Sequence, residues 1–230
     1  MGDTIPIKPF YFNDAGNHSH APVWTFLHIA SGIEDAKVNG TMLNYRSYSY
    51  DSVYNLYRAL EEFPVEGKNV AVIGSINPWI EIVCTAYNAK SVTTVDYNPP
   101  TCQHDKIRVI SNREFVDDVA KYDCIFSYSS IEHDGLGRYG DPLDPDGDIK
   151  TLELLTTKLS PDGILYLGVP CGIDRLEYNA HRIYGTQRWP ILTRGWRELA
   201  SFSDVRRDSF FSADRGWGFQ PWILLTPVPK

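Results

Sequence analysis

A histidine and an aspartate stand side by side, His133 and Asp134, in the stretch SYSSIEHDGLGRYGDPLDPDGD (127–148), which holds six acids and four glycines directly after an apolar run. These residue types suit acid–base work on a weak nucleophile. An imidazole titrates near neutral pH and accepts a proton from a hydroxyl that would otherwise react poorly. His133 is therefore the expected general base. Asp134, Asp141 and Glu132 are placed to orient it, to bind acceptor hydroxyls or to hold a divalent cation, magnesium or manganese. The base is favoured over the cation, because acids separated by glycines make a loose octahedral cage. Arg138 and Tyr139 lie in the same loop and are expected to contact the acceptor. Asp144, Asp146 and Asp148 begin like a calcium loop, but Ile149 stands where that loop needs glycine and Leu155 where it needs glutamate. Asp148 reads instead as the cap of the helix that follows. A second cluster, NAHRIYG (179–185), offers His181 as an alternative base or metal ligand, with Arg182 and Tyr184 lining the pocket.

The elements that must position these side chains alternate between strand and helix. NVAVIG (69–74) is a continuous apolar run, the mark of a strand covered on both faces. SVTTVD (91–96), KIRVIS (106–111), YDCIFSY (122–128) and ILYLGVP (164–170) follow as further strands. Between them lie a helix begun by Asn77 and Pro78, a short helix near 113–120 and a helix over 149–159. Before them, Asp51 caps a helix with Val53, Leu56, Tyr57 and Leu60 on one face, ending before Pro64. A helix near 190–200 and two β-like runs, DVRRDSFF and PWILLTPV, close the chain. This order predicts an α/β protein with a mostly parallel sheet, helices on both faces and an antiparallel edge hairpin. Residues 1–40 show weak periodicity and read as an irregular lead-in or lid, with His18, His20 and His28 at the surface.

Such a sheet binds ligands outside the carboxyl ends of its strands. Gly74 permits a tight turn after the first strand, with Ser75 and Trp79 beside it. Asp96 ends the next strand about 20 residues on, where an acid accepts hydrogen bonds from ribose hydroxyls. Tyr97 or Asn98 would flank an adenine and Asn112 would meet its edge. The later glycines of a dinucleotide fingerprint are missing, and Pro78 removes a helix-start donor that a pyrophosphate would use. S-adenosylmethionine, which has a ribose and an adenine but no phosphate, fits better. A nicotinamide-dependent oxidoreductase on a similar sheet and a catalytically silent glycan-binding module remain as alternatives.

The motifs VAVIGS…VTTVD…YDCIFSYSSIEHDG…LSPDGILYLGVP resemble the class I S-adenosylmethionine-dependent methyltransferases over roughly residues 50–225. The segment SSIEHDGLGRYGDPLDPDGD, followed by NAHRIYG, resembles a smaller family catalogued as a domain of unknown function. It is also similar to methyltransferase domains appended to glycosyltransferases that build O-methylated sugars such as rhamnose. The resemblance implies a Rossmann-like domain over 41–230 with a seven-stranded sheet. It also implies Gly74 and Ser75 at the donor's turn, Asp96 at its ribose and Ser129 to His133 near the reacting centre. The reaction it implies is O-methylation of a deoxyhexose hydroxyl in a glycan, by a chain that is free-standing or part of a larger glycosyltransferase. The sequence departs from the general class after Gly74, where Pro78-Trp79 replaces the later glycines.

Composition narrows the partners. A formal charge of −7 argues against nucleic acid, whose phosphates call for a basic footprint. No run of 18 apolar residues exists, so membrane insertion is not expected. Four cysteines without CxxC spacing, two of them in predicted core elements, read as reduced thiols of a cytoplasmic protein.

Overall fold

The computed structural model describes residues 5–12, 14, 21–39 and 50–229. In chain order its elements are β1 (Ile7–Phe10), β2 (Val23–Trp24), α1 (Phe26–Asn39), α2 (Tyr50–Glu62), β3 (Asn69–Ile73), α3 (Trp79–Ala86), β4 (Ser91–Asp96), β5 (Thr101–Cys102), β6 (Ile107–Ser111) and α4 (Asn112–Asp117). They continue with β7 (Tyr122–Tyr128), α5 (Gly147–Lys158), β8 (Leu159–Gly168), β9 (Arg175–Asn179), β10 (His181–Ile183), α6 (Arg188–Leu192), β11 (Trp196–Phe202) and β12 (Trp222–Pro227).

Seven strands form the main sheet in the order β11-β12-β8-β7-β3-β4-β6. β6, β4, β3, β7 and β8 run parallel, and β12 lies antiparallel between β8 and β11. Strand order reverses at β3, flanked by β4 and β7, and this creates a crevice at the carboxyl ends. The apolar runs follow from burial on both faces. Along β7, Cys124 and Phe126 enter one core with Leu56, Ile82 and Trp222. Ile125, between them, enters the other core with Leu152, Leu155 and Leu167. A side-chain period of two thus feeds two separate cores from one strand.

Several sequence expectations are corrected here. Residues 26–39 form a helix, and Ile29, Ile33 and Ala36 bury one face of it in the first core. His28 is exposed, as expected; His18 and His20 lie outside the described residues. Residues 196–202 form β11 where a helix was expected, because pairing with β12 overrides the helix propensity of Arg, Glu, Leu and Ala. The run DVRRDSFF contains only a 3-10 turn, Arg207–Ser209. Pro78 flanks α3 as its N-cap rather than opening it. Asp51 lies inside the first turn of α2, which begins at Tyr50. β9 and β10 leave the main sheet and join β1 in a separate three-stranded one, with Lys8 opposite Glu177 and Phe10 opposite Asn179. Among the described residues, no helix is long and apolar enough to cross a membrane.

Candidate active site

The crevice at the strand ends is a cleft walled by the turns after β3, β4, β6 and β7 and by one face of α5. Of the residues singled out in the sequence, Gly74, Ser75, Asp96, Tyr97, Asn112, Ser129, His133, Asp134, Tyr139 and Asp141 line it. Trp79, Glu132, Arg138, His181, Arg182 and Tyr184 do not.

The turn after β3 is fixed by what surrounds Gly74. Its φ is +70°, and a Cβ there would sit 2.0 Å from the Ser130 hydroxyl, so glycine is required twice over. Asp96 holds the same turn from β4. One carboxylate oxygen accepts from the Ser75 amide at 3.0 Å and the other from the Asn98 amide at 2.7 Å. At the end of β6, the side-chain oxygen of Asn112 is buried without a partner among the described residues. Val95, Phe115, Val116, Leu154 and Leu155 supply the apolar walls between these points.

These features fit an adenosine. A ribose diol would meet the Asp96 carboxylate in the cleft wall, an exocyclic amine would satisfy Asn112, and the apolar walls would flank a purine. Trp79 contributes nothing to this. It is only 2% exposed, edge-on to Tyr128 at 5.5 Å and 6.0 Å from Trp222 in the first core, so its expected cofactor role is corrected. The first turn of α3 fills a core rather than a binding site.

Beyond β7 the loop that looked loose is held firmly. Arg182 reaches from β10 and donates to the carbonyls of Glu132 (3.3 Å), Asp134 (2.6 Å), Asp144 (3.4 Å) and Pro145 (3.1 Å). It is a clamp on the loop, not an acceptor ligand. Asp141 accepts the amides of Gly137 (3.0 Å) and Tyr139 (3.2 Å), closing the tip into a turn. Tyr184 is fully buried in the second core and donates to Asp148 at 3.0 Å. Asp148 makes no helix cap. It sits in the first turn of α5 and takes two bonds from Arg188 as well. Arg138 is drawn away from the cleft by Asp14, at 2.7 Å, and lies over the Phe12 ring.

Within this frame the two neighbours at the head of the loop differ. The His133 Nδ1–H donates to the Ala180 carbonyl at 2.5 Å, which leaves Nε2 as the acceptor nitrogen, 3.7 Å from Glu132. Burial pushes the His133 pKa down to about 3, against the pull of the Ala180 carbonyl, so the ring is neutral and weakly basic. Asp134 accepts from the Thr151 hydroxyl at 2.6 Å, and burial raises it to about 7, opposed by that hydrogen bond. Proton affinity near working pH belongs to the aspartate, and the expected order of the pair is reversed. Glu132 is buried behind them and is raised by that burial to about 8. His181 packs 6.3 Å from His133, outside the cleft wall, with Nε2 3.2 Å from Glu177.

Among the described residues, no group of three or more His, Cys, Asp or Glu side chains is arranged to hold a metal ion. The two carboxylates considered for a cation are committed within the loop, Asp141 to two amides and Asp134 to Thr151. Thr151 escaped sequence reasoning because it reads as an ordinary helix residue. Its one signal is the helical spacing that sets it on the same face of α5 as Leu154 and Leu155.

The sheet order, with one reversed strand next to the edge and a cleft at the switch point, defines the Rossmann-like fold of class I S-adenosylmethionine-dependent methyltransferases. Solved structures share it. The N-methyltransferase NodS from Bradyrhizobium japonicum WM9, in complex with S-adenosyl-L-homocysteine, superposes with a TM-score of 0.53 at 13% identity, over 88% of this chain and 99% of that one. The 1,6-didemethyltoxoflavin-N1-methyltransferase of Burkholderia thailandensis, with bound 1,6-didemethyltoxoflavin and S-adenosylhomocysteine, gives 0.55 at 14%, over 91% of this chain and 93% of that one. At such identities the likeness establishes the fold. Comparison with curated proteins gives no match in sequence. Residues 67–214 match the family described as "Caenorhabditis protein of unknown function, DUF268", and the chain belongs to that family.

Proposed function

We propose that the protein transfers a methyl group from S-adenosylmethionine to a hydroxyl of a neutral sugar, a deoxyhexose such as rhamnose in a glycan. One observation carries the reading. A single cleft joins an adenosine-sized end, marked by Asp96 and the unpaired Asn112 oxygen, to a half-buried carboxylate of raised pKa, Asp134. Among the described residues that line that cleft none is a lysine or arginine, which favours an uncharged acceptor over a phosphate-bearing one.

In this reading Asp96 receives the ribose hydroxyls, Asn112 the adenine amine, and the Gly74 turn lies under the donor. When bound, the donor supplies an electrophilic methyl whose bond to sulfur breaks as its bond to the acceptor oxygen forms. Asp134 takes the hydroxyl proton, with Thr151 holding its carboxylate in place. His133, neutral at working pH with its one N–H given to Ala180, accepts a hydrogen bond from the acceptor at Nε2 without carrying charge. The four cysteines are all free thiols, which supports a cytoplasmic location for such an enzyme. The described lead-in residues 5–12 and 14 then serve as a cap on the 41–230 domain, supported by the Asp14–Arg138 pair that ties them to the loop.

Calorimetric titration with S-adenosylhomocysteine and, separately, NADH tests the donor half. Binding of the first alone is expected, and binding of NADH alone would replace this reading with the oxidoreductase. Turnover with deoxyhexose glycosides, but not with RNA or small phenols, is expected for the acceptor half.

A further inference from the structure

We infer that the acceptor's pyranose ring is seated outside the donor cleft, on a platform formed by Trp217 and Gln220, an inference that rests on the methyl-transfer reading above. Two rows of side chains lead from the cleft to this point. The first is a row of rings. Tyr139 and His133, both in the cleft wall, have centroids 5.4 Å apart; His133 is 6.3 Å from His181, and His181 is 6.4 Å from Trp217. Trp217 ends the row with 62% of its surface exposed, an unusual position for the largest apolar side chain in the protein's alphabet.

The second row is polar. Ser129, in the cleft wall, accepts from the Gln220 amide at 3.2 Å and contributes a side-chain hydrogen bond to the buried Glu132. The same Gln220 amide donates to the Trp217 carbonyl at 3.2 Å, which ties the exposed indole to the end of the row. One acceptor atom at its outer end, Gln220 Oε1, has no partner among the described residues. Burying acceptors without donors is unfavourable unless something brings donors to them. A pyranose brings both complements at once: apolar C–H faces for an indole and a hydroxyl donor for the Gln220 oxygen. No charged side chain is needed, in keeping with a neutral sugar.

The test uses the whole chain and methyl α-L-rhamnopyranoside as the probe, in saturation-transfer NMR with S-adenosylhomocysteine present and absent. Transfer to the ring protons of the glycoside is expected, with Trp217→Ala weakening its Kd about tenfold and Trp217→Phe by less, through loss of aromatic contact area. Gln220→Leu should weaken it as well, while calorimetric affinity for S-adenosylhomocysteine stays at the wild-type value in the Trp217 variants. No transfer to the glycoside, or transfer unchanged in Trp217→Ala, overturns the platform. A protein that binds the glycoside through Trp217 but not S-adenosylhomocysteine keeps the platform and loses the methyl-transfer reading, so the two failures are separable.

Discussion

The two ends of the cleft are built on opposite principles. At the donor end the functional groups are backbone-linked and half exposed: Asp96 bridges two amides at the surface of a turn, and Gly74 leaves room for close packing. At the acceptor end the acids are driven inward, and burial lifts Asp134 and Glu132 far above ordinary carboxyl values. A ribose is held by charge-assisted hydrogen bonds, which an ionised, solvated carboxylate makes best. A proton is taken from a hydroxyl by a group whose pKa lies near the working pH, which for a carboxylate requires desolvation. The difference teaches where each kind of chemistry must sit relative to solvent, and each end can be perturbed without the other.

The largest effect is expected from the acceptor end. Asp134→Asn should lower turnover by about 10²–10⁴-fold, the usual contribution of a positioned base, with S-adenosylhomocysteine affinity close to wild type. His133→Ala should cost less, because its neutral ring offers only a hydrogen bond. The opposite ranking would restore the histidine as base. Loss of turnover on adding a chelator, with recovery on magnesium, would instead assign activation of the hydroxyl to a cation held by Asp134 and Asp141.

Arg182→Ala comes next, and its readout is stability. The guanidinium is the shared donor to four carbonyls of the loop and faces Asp148 at 3.7 Å, with 7% of its side chain exposed. Its removal leaves the buried Glu132 carbonyl and the half-buried Asp134 carbonyl short of a donor and Asp148 short of a counter-charge, so urea denaturation should show a loss of about 3 kcal/mol. A midpoint unchanged from wild type would mean that Asp141 and the glycine turns hold the loop by themselves.

Asp96→Ala probes the donor end and should weaken S-adenosylhomocysteine binding about tenfold or more, since two charge-assisted hydrogen bonds are lost. Unchanged affinity in a folded variant would confine Asp96 to its structural task of holding the turn.

These two ends were not equally legible in the sequence. Gly74, Asp96 and Asn112 could be located because strand ends in a parallel sheet fall at one edge, so counting along the chain places them. The acceptor loop could not be placed by counting, since its shape depends on a residue from another sheet. Arg182 reads as a pocket residue until its four carbonyl partners are visible, and Tyr184 reads likewise until it is seen beneath Asp148. The same holds for Trp79: a tryptophan just past a binding turn suggests a ligand contact, yet Tyr128 and Trp222 claim both sides of it. Strand β11 was misread for a related reason, because its helix-forming residues are overruled by a partner strand twenty residues on. Proton affinities are the least legible quantity of all. Adjacent in sequence, His133 and Asp134 are moved in opposite directions by the same burial, because it disfavours the charged form of each.

The smallest effect expected is a pH dependence that belongs to the acceptor end alone. Glu132, raised by burial to about 8, stays protonated in the folded protein at pH values where the unfolded chain has already released that proton. The folded state then binds more protons than the unfolded one, and stability falls as pH rises from the ordinary carboxyl range towards 8. His133 acts with the opposite sign. Its depressed pKa means the unfolded chain takes up a proton first as pH falls below about 6.5, so it lowers stability only on the acid side, down to about 3. Asp134 and Glu81, both raised to about 7, contribute mainly below neutrality. In the interval from pH 7 to 8 Glu132 is the largest contributor, with smaller shares from Asp134 and Glu81. Wild type should lose about 1.5 kcal/mol across it in urea titrations, and Glu132→Gln, which cannot ionise, should remove more than half of that slope. Asp96→Asn, a change at the donor end, should leave the slope intact. A slope unaltered by Glu132→Gln would mean that the carboxyl is ionised in the fold despite its burial, and the contrast between a solvated donor end and a desolvated acceptor end would fail at its deepest residue.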